Sequence, residues 1–574
     1  MDDSRPLRVL GIEGTAWAAS AAVFETSDPT RPDDERVEIY TDAYEPDSGG
    51  IHPREAAEHM HEAIPEVVAK ARETAREWAD ESGAVDADPN GGDARQSTDA
   101  DEHRSDRGAS PIDAVAFSRG PGLGPCLRIV GTAARATAQR FDVPLVGVNH
   151  MIAHLEIGRH RSGFDSPVCL NASGANAHLL GYRNGRYRVL GETMDTGVGN
   201  AIDKFTRHLG WSHPGGPKVE QRASDGEFVD LPYVVKGMDF SFSGIMSAAK
   251  QAVDDGEAAE DVCFGLQEHI FAMLTEVSER ALSLTGSGQL VLGGGVAQND
   301  RLREMLREMC DQRGADFYAP EPRFLRDNAG MIAVLGAKMY EAGDTISIED
   351  SQIDSNFRPD QVPVTWRGAE DWTADGDSVR LDDAAFQGAE ATVTIEDGIV
   401  SKRRHPRTYR HDRLDSRLRR ERTRLEARLT SQARRAGVPT PVVEDVDPDR
   451  GRLVFEHVGD RDLRANPTAS RVSAVARHLA TIHDAGFVHG DPTTRNVRLS
   501  PDRTYLIDFG LGYFTDDPED YAMDLHVFDQ SLTGTADDSD SLIAAAREAY
   551  RASSSDPGPV LDSLETIEGR GRYQ

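Results

Sequence analysis

The sequence predicts an α/β protein of two domains, and three observations support that prediction. At 574 residues the chain is too long for one ordinary hydrophobic core. Strand-like runs alternate with amphipathic helical runs up to about residue 342. From about residue 379 onward the motifs change to a set with the spacing of a phosphoryl-transfer site.

Two polar stretches divide the chain. Residues 80–111 are rich in Asp, Gly, Ser and Pro and almost lack large apolar side chains, so we expect an acidic, disordered surface insertion. Residues 343–378 combine proline with acidic residues before strand-like patterns resume, which predicts a linker. The predicted domains are therefore residues 1–342 and 379–574.

The charge balance is typical of proteins from salt-loving archaea. The formal net charge is −34, carried by abundant Asp, Glu and Arg with few Lys. At molar salt the Debye length shrinks to about 3 Å, so repulsion of an anionic partner is mostly screened and local arginines decide binding. The acidity therefore does not exclude RNA as a partner.

Neither a membrane span nor a leader segment is predicted, and a cytoplasmic protein is expected. No apolar run of about 18 residues occurs, and the start of the chain lacks a basic region followed by an apolar one. The 4 cysteines stand far apart without a Cys-x-x-Cys pairing. This argues against disulfides and thiolate zinc sites, and predicts buried, unpaired thiols.

The first domain contains two strand-turn-strand units that resemble each other, residues 7–24 and 168–182. Their turns are Glu13-Gly14-Thr15 and Ser173-Gly174-Ala175-Asn176. Two further strands run into Gly-rich loops that open helices, at residues 118–124 and 293–295. Such loops let backbone N–H groups approach a phosphate. Duplicated units with paired loops favour a two-lobed nucleotide site of the actin and sugar-kinase type. The alternative is that the Gly-rich loops are only tight turns required by packing.

A pair of histidines is a candidate metal site. Residues 143–148 read as a strand, and Asn149 can cap a helix that carries His150 and His154 on one face. This spacing suits two ligands of one metal, although such pairs are more often structural or solvated. Met-Ile-Ala stands between the rings, so the glutamate that acts as general base in His-Glu-x-x-His proteases is missing. Peptide hydrolysis is therefore disfavoured.

The second domain carries a kinase-type active site. His489-Gly490-Asp491 precedes Asn496 and then Asp508-Phe509-Gly510, in the order and spacing that phosphoryl transfer requires. Asp491 would be the catalytic residue that accepts the proton of the attacking hydroxyl. Asn496 and Asp508 would hold the Mg²⁺ ions that bridge the phosphates of ATP. The periodicity of residues 471–485 predicts a buried helix that presents this loop.

Several motifs of the first domain give a specific resemblance. They are Asn149-His150-Met151-Ile152-Ala153-His154-Leu155-Glu156, Ser173-Gly174-Ala175-Asn176, Gly199-Asn200-Ala201-Ile202-Asp203, Pro214-Gly215-Gly216-Pro217-Lys218-Val219-Glu220, Gly294-Gly295-Val296-Ala297-Gln298-Asn299 and Arg326-Asp327-Asn328-Ala329-Gly330. Over about residues 7–341 the chain resembles the universal tRNA threonylcarbamoyladenosine transferase family. Residues 11–16 and 49–55 also fit that family.

This resemblance implies an actin-like, duplicated ribonuclease-H-like fold with a metal site. His150, His154 and Asp327 would bind the metal, usually Fe²⁺ in archaeal members, with Zn²⁺ as the alternative. Family members usually carry an aromatic hydroxyl where this chain has Asn171, so Asn171 is an open fourth metal candidate. The residues implied to line the site for threonylcarbamoyl-adenylate are Asn171, Ala172, Ser173, Gly174, Ala175, Asp203, Gly216, Glu220 and Asn299.

Residues 379–574 resemble the small atypical kinase of the KEOPS complex, which implies a bilobal protein-kinase-like α+β fold. Lys402 is expected to contact the phosphates with Glu426 as its partner, and Glu421 is a rival because the helix register is uncertain by a turn. No Gly-x-Gly-x-x-Gly loop and no Ala-Pro-Glu segment are present, so a signalling kinase with a regulated loop is not expected. The residues expected to contact ATP are Gly388, Ala389, Glu390, Lys402, Glu426, Asn496 and Asp508.

Together the two resemblances imply a natural fusion that modifies tRNA. It would transfer the threonylcarbamoyl group to the N6 amine of the adenosine next to the anticodon in tRNAs reading ANN codons, with other KEOPS subunits as partners. The kinase would use ATP and Mg²⁺ and regulate the transferase. Arginines at residues 403–435 and at Arg570 and Arg572 are candidate tRNA contacts, and a salt-bridged helix is the alternative for the long stretch. A metalloprotease, or a kinase with a non-catalytic actin-like scaffold, are the other functions that stay open.

Overall fold

The computed structural model describes residues 5–44, 53–83, 110–174, 176–183, 185–367, 379–382, 385–387 and 391–570. Several predictions concern residues outside this described part. They are most of the acidic insertion, the family motif at residues 49–52, the candidate substrate contact Ala175, the candidate ATP contacts Gly388, Ala389 and Glu390, and the terminal Arg572.

The first half of the first domain is a five-stranded sheet in the order β3-β2-β1-β4-β5. Its first three strands pair antiparallel, and β1, β4 and β5 run parallel. The strands are β1 (Leu7–Glu13), β2 (Ala18–Thr26), β3 (Glu35–Ala43), β4 (Ala114–Gly120) and β5 (Leu145–Asn149), and the helices are α1 (Pro53–Gly83), α2 (Gly124–Phe141) and α3 (His150–Ser162). β2 is buried along its whole length, as expected for a strand covered on both faces.

The second half repeats this plan in the order β12-β11-β6-β7-β8. Here β6, β7 and β8 pair antiparallel, and β6, β11 and β12 run parallel. The strands are β6 (Val168–Ala172), β7 (Ala177–Arg183), β8 (Arg186–Glu192), β11 (Gln289–Gly293) and β12 (Asp316–Tyr318), with a small hairpin of β9 (Val235–Lys236) and β10 (Asp239–Phe240). The same order and directions confirm the predicted duplication.

The helices of the second half complete the first domain. They are α4 (Val198–His208), α5 (Gly216–Ala223), α6 (Ser243–Asp254), α7 (Ala259–Thr285), α8 (Asp300–Arg313), α9 (Pro322–Leu325) and α10 (Ala329–Glu341). α3 and α10 lie between the two sheets, since one buried cluster joins Ile152 and Ile332 of these helices to Val9 and Val146 of the first sheet and Val291 of the second. The two helices also pack against each other.

The second domain begins with an antiparallel sheet in the order β13-β14-β15-β16-β18-β17. The strands are β13 (Val379–Asp382), β14 (Ala385–Gln387), β15 (Ala391–Glu396), β16 (Ile399–Arg404), β17 (Val443–Asp447) and β18 (Arg452–Glu456), and α11 (Asp412–Arg435) packs on them. This is the first lobe of the predicted kinase-like fold.

The second lobe is mainly helical. Its helices are α12 (Ala469–Asp484), α13 (Pro518–Thr535), α14 (Ser539–Ser553) and α15 (Pro557–Arg570), and its short strands are β19 (Arg461–Asp462), β20 (Phe487–Val488), β21 (Val497–Leu499), β22 (Thr504–Leu506) and β23 (Tyr513–Phe514). α12 confirms the helix predicted for residues 471–485. Gly486 follows it at φ +81°, a left-handed conformation that glycine adopts without strain.

Residues 343–367, the described part of the segment assigned to a linker, pack on the first domain. Ile346 N–H donates to the Leu145 carbonyl at 2.9 Å and Val364 N–H to the Gly185 carbonyl at 2.8 Å. Val362 and Val364 are buried in the cluster that contains α3 and α10. The domain boundaries themselves stay predictions.

The four cysteines are buried and unpaired, as predicted. Within the described residues no helix combines the length and the apolar character that a membrane crossing requires.

Candidate functional site: a metal centre beside a nucleotide site

The metal-site helix α3 starts directly after β5. The Asn149 side chain accepts hydrogen bonds from the N–H groups of Met151 at 3.0 Å and Ile152 at 3.1 Å. This is the predicted N-cap, which satisfies donors that the first helical turn leaves open. It fixes His150 and His154 in the first turns of a buried helix, with both rings on one side.

Asp327 meets the two histidines from a distant part of the chain. Its Oδ1 atom lies 3.3 Å from His150 Nε2 and 3.2 Å from His154 Nε2. The ligand atoms of the three residues all lie within 4.8 Å of one another. Two imidazoles and a carboxylate that converge in this way fit a divalent transition metal and leave coordination positions open for substrate.

Glu13 is a functional residue that the sequence reasoning did not identify, since it was noted only as part of a turn. Its side chain is fully buried, and Oε2 lies 3.1 Å from His150 Nδ1. The other oxygen accepts the Thr15 N–H at 2.8 Å. Metal-binding histidines commonly donate their second N–H to a carboxylate, which fixes the tautomer. With a metal bound, Glu13 would accept the Nδ1 proton of His150 and leave Nε2 free to face the ion beside Asp327.

The electrostatics of this group favour a cation. Burial opposes protonation of His150, but the carboxylates of Glu13 and Asp327 outweigh it and raise the pKa of His150 to about 10. Burial also opposes ionisation of Asp327, yet His150 and His154 hold the pKa of that carboxyl well below its usual range. Burial lowers the pKa of His154. A positive charge between the three side chains is thus stabilised, as metal binding requires.

A Gly-rich loop connects this group to the candidate substrate turn. Gly294 has φ +86°, and a Cβ there would lie 2.3 Å from the Ala172 carbonyl oxygen and 2.5 Å from Asn171 Oδ1. Only glycine permits this approach. The loop after β11 therefore lies against the end of β6. A Cβ at Gly293 would lie 3.4 Å from the His154 carbonyl oxygen and 3.7 Å from Asn171 Oδ1, so Asn171 stands next to α3.

The rest of the candidate substrate turn packs against the start of α4. Ser173 N–H donates to the Asn176 carbonyl at 2.8 Å, and Asn200 N–H donates to the Gly174 carbonyl at 2.9 Å. The backbone of Gly199 approaches that of Gly174 so closely that a Cβ on Gly199 would lie 2.7 Å from Gly174 Cα. The turn is thus held from both sides.

The remaining candidate substrate residues lie on loops and helices at the edge of the second sheet. Asp203 Oδ1 accepts the Gly215 N–H at 2.8 Å, and Glu220 Oε1 accepts the Asp300 N–H at 2.8 Å. Asn299 caps α8. A cavity of about 690 Å³ opens here, lined by Glu220 but not by Asp203, Gly216 or Asn299. Asp203 and Glu220 are thus each held by a backbone N–H of a neighbouring segment, and Glu220 is the candidate that lines this cavity.

The kinase-like site is assembled between the lobes of the second domain. Lys402 Nζ lies 2.9 Å from Glu426 Oε1 and 2.7 Å from Asp508 Oδ1. Glu421 is exposed, so of the two rivals Glu426 is the ion-pair partner. Asn496 Nδ2 donates to Asp491 Oδ2 at 3.0 Å. The Ile507 N–H donates to the Asn496 carbonyl at 3.0 Å, so the segment that carries Asp491 and Asn496 lies beside the one that carries Asp508.

Two further residues shape the kinase-like site, and sequence reasoning missed both. Arg404 Nη2 donates to Glu426 Oε2 at 2.6 Å, so Glu426 is held by two cations. Asp524 on α13 accepts the N–H groups of His489 at 2.6 Å and Gly490 at 2.8 Å. This carboxylate fixes the backbone of the catalytic loop, but its position in the sequence carries no local signal.

Ten of the arginines of residues 403–435 are either buried or exposed on α11, and Arg403, Arg417 and Arg419 belong to neither group. Arg404, Arg407, Arg410 and Arg422 are buried in ion pairs with glutamates. For these four the salt-bridged alternative holds. The exposed arginines of α11, which stay candidates for phosphate contact, are Arg413, Arg420, Arg424, Arg428, Arg434 and Arg435.

Comparison with known proteins gives close relatives over the whole chain. Residues 103–334 match the family model TsaD, tRNA N6-adenosine threonylcarbamoyltransferase. A protein of Haloarcula marismortui named "Probable bifunctional tRNA threonylcarbamoyladenosine biosynthesis protein" is 70% identical over 574 residues, covering 99% of this chain and 100% of the relative. Proteins of the same name from Halobacterium salinarum and Methanospirillum hungatei are 66% and 46% identical, each covering at least 98% of this chain and 99% of the relative.

Solved structures are more distant. The structural match to HypF from T. kodakarensis covers 61% of this chain and 50% of the HypF chain, with 13% identity and a TM-score of 0.39. The match to the Rio2 kinase from Chaetomium thermophilum covers 33% of this chain and 72% of the Rio2 chain, with 17% identity and a TM-score of 0.23. These similarities are too low to bear on function.

Proposed function

The chain belongs to the family of bifunctional tRNA threonylcarbamoyladenosine biosynthesis proteins, and from that premise we propose how its two sites act. The first domain transfers a threonylcarbamoyl group from threonylcarbamoyl-adenylate to the N6 amine of the adenosine next to the anticodon, in tRNAs reading ANN codons. The observation that carries this proposal is the convergence of His150, His154 and Asp327 beside the turn that follows Asn171.

The reaction is an acyl transfer that needs no covalent enzyme nucleophile. The N6 nitrogen attacks the carbamoyl carbon of the mixed anhydride, and the bond from that carbon to the phosphate oxygen breaks. AMP leaves with that electron pair, and the proton lost from N6 passes to solvent. A metal held by His150, His154 and Asp327 would supply positive charge to substrate oxygens. The backbone N–H groups of the Gly-rich loop at residues 293–295 would bind the adenylate phosphate and hold the reacting atoms in place. In the other Gly-rich loop the N–H groups of Gly122 and Leu123 donate to the carbonyls of Ser355 and Thr15, so that loop is a packing turn.

Fe²⁺ is the metal that we infer, with Zn²⁺ as the alternative. The support is the resemblance to archaeal family members, since imidazole and carboxylate ligands accept either ion. Elemental analysis of protein purified without oxygen distinguishes the two metals.

Product analysis tests the transfer directly. Purified chain incubated with tRNA and threonylcarbamoyl-adenylate is expected to give threonylcarbamoyladenosine, detected by mass spectrometry of tRNA nucleosides. Threonine, bicarbonate and ATP without the adenylate are expected to give none, because neither of the two proposed sites activates threonine. A tRNA with guanosine at the target position is the control. Product from threonine, bicarbonate and ATP alone would contradict the proposal.

In the second domain we infer an ATP and Mg²⁺ site that regulates the transferase by phosphoryl transfer or ATP hydrolysis. Lys402 contacts the phosphates, Asn496 and Asp508 hold Mg²⁺, and Asp491 is the base. The support is the set of ion pairs between Lys402, Glu426 and Asp508 together with the contact of Asn496 with Asp491.

Asp491→Asn is expected to lower ATP turnover by about 10²-fold or more, since the change removes the proton acceptor and keeps the side-chain shape. Release of inorganic phosphate measures the effect. One round of transfer from supplied threonylcarbamoyl-adenylate is expected to continue, because the first domain holds all groups for that step. Asp484→Asn, an exposed carboxylate on α12, is the control, and equal loss in both variants would argue against the assigned role.

We infer the partners and the location from the family resemblance. The chain acts on tRNA, with exposed arginines of α11 as candidate phosphate contacts, as a member of a KEOPS-type complex in the cytoplasm. A metalloprotease would require peptide cleavage that His150→Ala abolishes. An assay of varied peptides that finds no such cleavage removes this alternative.

A further inference from the structure

Three buried polar atoms next to the proposed metal site have no hydrogen-bond partner among the residues that the structure describes. They are His154 Nδ1, Asn171 Oδ1 and His178 Nε2. The residues are only 1%, 2% and 3% exposed. Burial of a polar group without a partner is unfavourable, so three neighbouring cases call for a common explanation.

The three side chains are brought together by the second sheet and α3. Asn171 on β6 and His178 on β7 are direct cross-strand partners, so their side chains share one face, with Cβ atoms about 4.5–5.5 Å apart. A Cβ at Gly293 would lie 3.7 Å from Asn171 Oδ1 and 3.8 Å from His154 Cβ. His178 also lies within electrostatic reach of His154, since burial first and then His154 and His150 lower the pKa of His178 to about 3.

The hydrogen-bonding capacities of these atoms are complementary to one water molecule. His154 directs Nε2 toward Asp327 at 3.2 Å, so in the neutral metal-binding tautomer its Nδ1 carries the proton and donates. Asn171 Oδ1 accepts. A neutral His178 ring with its proton on Nδ1 accepts at Nε2. One water can accept a hydrogen bond from His154 Nδ1 and donate its two hydrogens to Asn171 Oδ1 and His178 Nε2. Buried waters typically make about three hydrogen bonds.

We propose that Asn171 and His178 are positioning residues that hold a shared buried water on Nδ1 of His154 and thereby fix the tautomer of this metal-binding imidazole. This inference rests on the metal site proposed above. The water would bind Nδ1 of His154 in the same way as Glu13 Oε2 contacts Nδ1 of His150, at 3.1 Å. Asn171 then acts behind the metal ligands and does not itself ligate.

Co²⁺ titration of the full chain tests this inference without relying on activity. Loss of an outer-shell partner of a ligand lowers metal affinity by about 10–100-fold. His178→Phe and Asn171→Leu are therefore each expected to weaken Co²⁺ binding about tenfold, measured by competition with a chelator. His178→Gln keeps a polar acceptor and is expected to recover most of the affinity. His478→Phe, a partly buried histidine of the second domain, is the matched control.

The double variant separates a shared water from two independent contacts. Because both side chains bind the same water, Asn171→Leu with His178→Phe is expected to weaken Co²⁺ binding by much less than the hundredfold product of two tenfold effects. The positions of the Co²⁺ absorption bands are expected to stay unchanged, since the ligand set is the same. Thermal unfolding without metal shows whether each variant is folded.

Three outcomes would overturn the inference. Unchanged Co²⁺ affinity in His178→Phe and Asn171→Leu means that these residues do not position His154. Shifted absorption bands in either variant mean that the replaced residue is a direct ligand. A full hundredfold loss in the double variant means that no water is shared. If the wild-type chain binds no Co²⁺, it is the proposed metal site itself that fails.

Discussion

Replacing Asp327 with asparagine is expected to remove the bound metal and to lower tRNA threonylcarbamoylation by more than about 10²-fold. Both ring nitrogens Nε2, of His150 and His154, lie within 3.3 Å of Asp327 Oδ1. The amide keeps the shape but loses the negative charge, so a divalent cation is no longer balanced by an anionic ligand in this buried site. The fold is expected to survive, since the side-chain volume is unchanged.

Metal content by elemental analysis and nucleoside mass spectrometry measure the two effects of Asp327→Asn separately. Asp311→Asn replaces an exposed carboxylate on α8 and is expected to leave both unchanged. If Asp327→Asn keeps full metal content and full product yield, the three side chains do not form the transferase centre.

Glu276→Gln is expected to lower the free energy of unfolding by about 3–5 kcal/mol, the usual cost of breaking a buried ion pair from one side. Glu276 on α7 is 1% exposed and joins the two domains. Its carboxylate accepts hydrogen bonds from Arg280 of the first domain and from Arg410 and Arg422 of the second. The neutral amide leaves three buried guanidinium groups with too little negative charge around them.

Denaturant unfolding in high salt measures the change in stability. Screening weakens exposed pairs but barely affects buried ones, so the loss from Glu276→Gln is expected to persist at molar salt. Glu304→Gln is the control, because Glu304 pairs with Arg301 while its side chain stays 56% exposed, and such pairs contribute about 0–1 kcal/mol. Equal stability of both variants would mean that the buried network contributes little to domain docking.

The interface around Glu276 also explains why the number of arginines in a stretch of sequence overestimates the number of nucleic-acid contacts. Arg410 and Arg422 belong to a basic stretch of the sequence, yet both are buried against the first domain. The side of α11 that meets α7 depends on how the two domains dock. Local sequence carries no such information, so the solvated and the buried arginines look alike before folding.

The sequence by itself determined the features that depend on short-range geometry. Helical periodicity placed His150 and His154 on one face, the Asn149 cap started their helix, and repeated turn motifs indicated the duplicated sheets. The kinase-like motifs gave the order of Asp491 and Asp508 for the same reason. Each of these depends on residues within a few turns or one hairpin of each other.

Only the tertiary structure decided the contacts between distant segments. Glu13 lies 137 residues before His150, and Asp327 lies 173 residues after His154, so no local pattern could join them. The choice of Glu426 over Glu421 likewise needed the register of α11 against Lys402. These contacts depend on how the sheets and helices pack against one another. The free energy that stabilises that packing comes from burying the apolar surfaces of whole helices and strands, and the residues adjacent in sequence contribute little to it.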